Sequence, residues 1–200
     1  MNKAIIFDYG KVIGNDPSNY IYKSVSKEFG ISITKIKNEF LKFIFPLERG
    51  EILEKNFWKK LAKDLNITNC KKLKRVWIGE FRKYAKIDKK ILSLANALKN
   101  HYKLCLLSNN AIFYQNYSIT KSLKKVFPTI IYSFNVKMRK PEKRIYHYTL
   151  RKLRVKPNES LIIDDDETKL FLPKKLGMET LLFKSFSQFK RELIKKLDGK

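Results

Sequence analysis

The sequence predicts an α/β protein: a Rossmann-like parallel sheet core with helices on both faces and an inserted helical cap. Three observations carry that expectation. Short runs that are apolar throughout alternate with amphipathic stretches, the pattern of strands buried on both faces and joined by right-handed crossovers. A long interval after the first run shows only helical spacing. Polar residues stand at the ends of the apolar runs, and parallel strands deliver such ends to one edge of a sheet.

Taken in order, Ala4 to Phe7 is the first strand and Asp8 ends it. From about Asp16 to Lys86 the apolar positions fall at helical intervals: Phe40, Phe43, Ile44 and Leu47, then Phe57, Leu61 and Leu65, then Leu73, Val76, Trp77 and Phe81. Residues 16–85 therefore read as a helical cap, and residues 1–15 and 86–200 as the α/β core. An insert directly after the first strand stands at the carboxyl end of the sheet, where open α/β folds bind ligands, so a lid is its natural role. Its aromatic stripe reads as helix-helix core. The second strand, Leu104 to Leu107, ends in Ser108 and Asn109, with a helix over Gln115 to Lys125 after it. Ile130 to Phe134 is the third strand, followed by Lys140-Pro141, where the proline opens a helix over Glu142 to Leu153. Leu161 to Ile163 is the fourth and ends in Asp164, Asp165 and Asp166. A helix over Glu167 to Leu176, a fifth strand over Thr180 to Phe183 and a helix over Ser187 to Leu197 complete the core.

Two hundred residues, 44% of them hydrophobic and 13% aromatic, suffice for one compact core with a small lobe. No apolar run reaches the length of about 18 residues that a membrane span needs, and the N-terminus shows no cleavable signal pattern, so a cytoplasmic location is expected. Cys70 and Cys105 lie far apart without metal-ligand spacing and read as packing residues. The net charge of +25 comes mostly from lysines spread over nearly every segment, without a basic arm or an aromatic RNA-binding motif. It reads as a solvated surface that attracts small anionic substrates rather than as a nucleic-acid platform.

With parallel strands, Asp8, Ser108, Lys140, Asp164 and Asp165 face one crevice. Carboxylates that close repel one another unless a cation holds them, and an oxygen-only donor set suits Mg²⁺. One carboxylate can then attack phosphorus while Ser108 and Lys140 grip the peripheral oxygens. Asp166 and Glu167 read as first-turn acids that favour the helix dipole. His101 and His147 have no partner spacing and read as structural or exposed.

These residues resemble the haloacid-dehalogenase-like hydrolases, in particular the branch with a helical cap after the first motif. The segment IIFDYGKVI at Ile5 to Ile13 looks like the first motif and LLSNN at Leu106 to Asn110 like the second. KMRKPEKRIY at Lys137 to Tyr146 looks like the third, SLIIDDDE at Ser160 to Glu167 like the fourth, and ERGEILEKNFWKKLAKDL at Glu48 to Leu65 lies in the cap interval. The resemblance implies a Mg²⁺-dependent phosphomonoesterase for a small phosphorylated metabolite, working through a phosphoaspartyl intermediate. In that scheme Asp8 attacks and Lys140 assists, while Ser108, Asn109 and Lys140 form the phosphate site, with Asn109 supporting the loop that carries Ser108. Asp8, the backbone carbonyl of Gly10, Asp164 and Asp165 form the metal site.

One departure matters. Most phosphatases of the family carry a second Asp two residues after the nucleophile, as acid to the leaving group and base to water, and here that position is Gly10. The same pattern resembles a branch of sugar-1-phosphate phosphatases and the N-terminal domains of some epoxide hydrolases. Acid-base help must then come from Lys11, Asp16, a cap residue or water, or be absent. Three rival readings are weighed beside the phosphatase: a metal-free dehalogenase using the same nucleophile, a catalytically impaired binding protein on this fold, and a response-regulator receiver. The receiver is excluded by chain order, because its acidic pair comes first and its phosphate acceptor in the middle.

Overall fold

A computed structural model describes residues 2–115 and 119–198. Five strands form one sheet: β1 (Ala4–Phe7), β2 (Lys103–Ser108), β3 (Thr129–Tyr132), β4 (Ser160–Asp164) and β5 (Glu179–Leu182). Their order is β3-β2-β1-β4-β5 and every neighbouring pair is parallel. Four helices follow β1: α1 (Ser18–Phe29), α2 (Ile33–Glu48), α3 (Glu54–Asp64) and α4 (Cys70–Tyr84). Next come α5 (Lys89–Leu98) before β2, then α6 (Ile112–Gln115) and α7 (Ile119–Val126) before β3. The short α8 (Ser133–Val136) and α9 (Lys143–Leu153) precede β4, α10 (Glu167–Lys175) precedes β5, and α11 (Phe186–Asp198) follows it.

The continuous apolar runs exist because both faces of the sheet are covered. Ile5 and Phe7 of β1 pack with Ile91 and Ala95 of α5, Leu123 of α7, and Phe189 and Leu193 of α11. Their neighbours Ala4 and Ile6 point the other way, into a cluster with Ile145, Tyr146 and Leu150 of α9 and Leu170 of α10. The period-two alternation of a strand is thus present, but apolar on both sides.

Helices α1 to α4 build a separate apolar cluster around Phe57, Leu61, Leu73 and Trp77. Local chemistry marks their ends. Ser32 caps α2 by accepting from the Lys35 N–H, Asn69 caps α4 by accepting from the Lys72 N–H, and Gly30 ends α1 in the left-handed region at φ 65°. The two chain crossings into and out of this insert are clipped together. The Asn15 side chain accepts from Lys86 N–H (2.6 Å) and donates to the Tyr84 carbonyl (2.9 Å), and Asp88 N–H donates to the Ile13 carbonyl (2.8 Å).

The insert's cluster also takes in residues from after β2. Phe113 stacks on Phe57 with ring centroids 5.3 Å apart, and Trp77 Nε1 donates to the Tyr114 hydroxyl at 2.9 Å. The expected helix over Gln115 to Lys125 meets the last residue of α6, whose Phe113 reaches into the insert, and most of α7; its residues 116–118 lie outside the described residues. The expected strand over Ile130 to Phe134 ends earlier, at Tyr132. Ser133 stops it: its hydroxyl accepts from Asn110 N–H (3.0 Å), its carbonyl accepts from Met138 N–H (3.3 Å), and the chain turns into α8. Among the described residues no helix is long and apolar enough to cross a membrane.

Candidate active site

The site begins with register. Phe7 pairs with Ile163, so the next residues along, Asp8 just past β1 and Asp164 at the end of β4, stand side by side, and Asp8 N–H donates to the Ile163 carbonyl at 2.9 Å. Both side chains are almost wholly buried, with Asp8 at 5% and Asp164 at 0% exposure. Asp165 joins them, and one carboxylate oxygen from each of the three lies within 4.8 Å of the others. Burial and the Asp8 charge push the Asp164 carboxyl up, and burial and Asp164 do the same to Asp165.

Lys140 answers part of that repulsion. Its Nζ donates to Asp8 Oδ1 at 2.7 Å and to Asp164 Oδ2 at 2.5 Å, in a position 1% exposed. Burial alone would push the ammonium down, but the two carboxylates outweigh it and hold Lys140 protonated. Its backbone is fixed from β2. The Asn109 amide donates through Nδ2 to the Lys140 carbonyl (2.9 Å) and accepts through Oδ1 from the Lys140 N–H (2.8 Å). Both ends of the Asn109 side chain are thereby committed to positioning Lys140. Ser108 is buried at the end of β2, its hydroxyl 3.4 Å from the Asn109 carbonyl, just behind Asn109 and Asn110, which line the cavity.

The cavity in front of these residues has a volume of about 580 Å³. Asp8, Gly10, Asp165 and Lys169 line its core side, while Asp16, Ser18, Glu48 and Phe81 approach from the insert. Gly10 brings no side chain, and a Cβ built there would meet Asp8 Oδ2 at 3.7 Å, an ordinary contact. Of the candidates for acid-base help, Lys11 is well exposed and stands 3.8 Å from Asp165, and Asp16 accepts from the Ser18 N–H (3.0 Å) and hydroxyl (2.6 Å). Glu48 is pushed up by burial, although Arg139 Nε donates to it at 2.6 Å. Asp166 behaves as the first-turn acid expected of it, capping α10 by accepting from the Thr168 N–H and hydroxyl.

Two ion pairs fasten the end of α2 to the core beside the cavity: Arg139 with Glu48, and Arg49 with Glu142 at 2.7 Å. Between them Gly50, at φ 63°, lies so close to α8 that a Cβ would approach the Phe134 carbonyl oxygen to 2.5 Å. Sequence reasoning places Arg139 in the third-motif segment and Arg49 in the cap interval without pairing either with an acid, and it misses Lys169 altogether. A signal for Lys169 exists, since it is a cation in the first turn of a helix, three residues after an acid.

Comparison with known proteins identifies the family and the fold. The family model described as haloacid dehalogenase-like hydrolase matches residues 5–183. The D-ribitol-5-phosphate phosphatase of Bacteroides thetaiotaomicron is 26% identical over 204 residues, covering 96% of this chain and 97% of that protein. The bifunctional epoxide hydrolase 2 of Rattus norvegicus is 32% identical over 115 residues, 54% of this chain but only 21% of that protein. Among solved structures, a family enzyme of B. thetaiotaomicron in complex with magnesium and inorganic phosphate superposes with a TM-score of 0.76 at 21% identity, covering 96% of this chain and 99% of that one. A predicted family hydrolase of Porphyromonas gingivalis gives 0.77 at 20% identity, covering 98% of each chain. A parallel sheet whose strand ends collect an acid cluster and a buried lysine, and a family model that spans the insert and nearly all of the core, lead to one statement: the chain belongs to the haloacid dehalogenase-like hydrolases.

Proposed function

We propose that this chain is a Mg²⁺-dependent phosphomonoesterase that passes the phosphoryl group of a small phosphorylated metabolite through Asp8. The observation that carries the proposal is the convergence of Asp8, Asp164 and Asp165 around Lys140 at the carboxyl end of the sheet. Three oxygen donors in partly buried positions, repelling one another, fit a hard divalent cation. Asp8, Asp164 and Asp165 would hold Mg²⁺, with Gly10 offering only its backbone carbonyl. The ion would supply positive charge against which a carboxylate and a phosphate dianion can approach. That donor set also favours phosphate chemistry over metal-free dehalogenation.

The chain's own residues supply the rest. Asp8 is the nucleophile, held at the strand end with its second oxygen on the Gly10 side. Lys140 aims Asp8 through its hydrogen bond to Oδ1, and neutralises charge on the transferring group. Ser108 and the loop through Asn109 bind the peripheral oxygens, and the Asn109 side chain positions Lys140. Residues 16–85 act as the cap, whose Asp16, Ser18 and Glu48 face the organic part of the substrate. A cavity of about 580 Å³ suits a small molecule, and its polar cap side suits hydroxyl groups. The similarity to a D-ribitol-5-phosphate phosphatase makes polyol and sugar phosphates the first series to try.

The deciding experiment is hydrolysis of p-nitrophenyl phosphate and a sugar-phosphate panel, with and without Mg²⁺, by wild type and by Asp8→Asn. Activity that needs the metal and vanishes in the variant supports the reading. Activity that survives a chelator would favour dehalogenase-like chemistry instead.

A further inference from the structure

Lys169 is a cation placed where its own helix does not want one. It is the third residue of α10, in the first turn, where the exposed N–H groups disfavour positive charge. Its ammonium nevertheless turns into the acid cluster. Nζ lies 3.9 Å from Asp164 Oδ1 and 3.5 Å from Asp166 Oδ2, and the side chain is only 23% exposed. Asp164 has no unshared oxygen left: Oδ2 takes Lys140, and Oδ1 takes the Asp166 N–H at 3.0 Å with Lys169 behind it. Lys169 also lines the cavity with Asp8 and Asp165.

We propose that Lys169 is a positioning residue that weakens divalent-metal binding, because its ammonium competes with the metal for Asp164 and repels the ion electrostatically. This rests on the reading of Asp8, Asp164 and Asp165 as a metal site. It goes beyond that reading by assigning the strength of the site to a residue outside the donor set. A unit charge a few ångströms from a dication, in a partly buried position, changes affinity by about tenfold or more.

The test is titration of the metal-free full-length chain with MgCl₂, followed by calorimetry and by the shift in melting temperature, for wild type, Lys169→Met, Lys169→Gln and Lys169→Arg. Both neutral variants should bind Mg²⁺ about tenfold or more tighter than wild type, and the Arg variant within about threefold of it. Lys169→Gln keeps a polar head, so it serves if the Met variant folds poorly, and far-ultraviolet circular dichroism reports folding before metal is added. Detectable binding in the neutral variants alone would support the proposal strongly. Equal affinity in all four proteins, or weaker binding in the neutral variants, would overturn it and leave the metal site standing. No Mg²⁺ binding by any of them would overturn the metal site and this proposal together.

Discussion

At the scale of single residues, the site rests on Lys140 more than on any carboxylate. Removing one partner from a buried ion pair leaves an uncompensated charge, at a cost of about 3–5 kcal/mol, and here two carboxylates would be stranded. Lys140→Met is therefore expected to lose turnover and about 3 kcal/mol or more of unfolding free energy in urea at pH 8. Its pH dependence has a definite sign. Burial and mutual repulsion raise Asp164 above its unfolded value, and without Lys140 nothing of comparable strength lowers it. A carboxyl raised on folding adds stability at low pH and loses it as pH rises, so the variant should gain stability from pH 8 to pH 5.5; a loss over that range would mean the carboxylates had found another cation. Gly10 carries the other residue-scale prediction. General-acid help is commonly worth about 10² to 10⁴ in rate, so wild type should favour aryl, acyl or anomeric phosphates over alkyl phosphates. Gly10→Asp, whose Cβ has room beside Asp8, should raise alkyl-phosphate turnover more than aryl-phosphate turnover at matched Mg²⁺. No leaving-group dependence in wild type and no selective gain in the variant would show that another group, such as Asp16 or Glu48, already donates the proton.

At the scale of elements, what could be read from the sequence was whatever a single segment encodes. Apolar runs with Asp8, Ser108 and Asp164 at their ends gave strands and the edge where the candidate site lies, because both faces of each strand are buried and the polar residue marks the exit. The insert was readable from its 3.6-residue period. What stayed hidden depends on partners distant in the chain. Phe113 looks like loop residue until Phe57 is opposite it, Ser133 looks like strand until Asn110 claims its hydroxyl, and Lys169 is one lysine among many until Asp164 faces it. The Phe113–Phe57 contact, with the Arg139–Glu48 and Arg49–Glu142 pairs, makes the seam between insert and core, so the seam is where mutations should separate packing from chemistry. Phe113→Ala removes a ring buried against Phe57 and Trp58 and should cost about 3–5 kcal/mol. Gly50→Ala puts a methyl group against the Phe134 carbonyl at an unfavourable φ, and should tilt the end of α2. Because Glu48 and Arg49 flank that turn, Gly50→Ala should change KM across the sugar-phosphate panel more than it changes turnover of p-nitrophenyl phosphate. A uniform fall across substrates would mean that the turn supports folding alone.

At the scale of the whole molecule the governing quantity is the net charge of +25, the excess of 44 Lys and Arg over 19 Asp and Glu. The acids are not free to balance the surface, since Asp8, Asp164 and Asp165 are gathered in the cavity and Glu48 and Glu142 are committed to the seam. Basic residues outnumber acids more than twofold, so the surface as a whole repels itself. Such repulsion acts over the screening length, about 30 Å at 0.01 M salt and about 10 Å at 0.1 M, so at low salt it spans the molecule and at moderate salt it is confined to neighbours. Two effects of added salt oppose each other. Exposed pairs such as Lys3 with Glu159 lose attraction, but each is worth only about 0–1 kcal/mol. Self-repulsion summed over the whole surface outweighs those losses when the imbalance is this great. Stability should thus rise with NaCl from 10 to 200 mM, by on the order of 1–2 kcal/mol, which for a chain of this size is roughly 3–6 °C in melting temperature. The same screening should lower kcat/KM for a dianionic phosphate, because the field that draws the substrate in is the field that strains the fold. A melting temperature that falls with NaCl would show that local pairs outweigh the net charge, and a kcat/KM indifferent to salt would show that the cavity, and not the surface, captures the substrate.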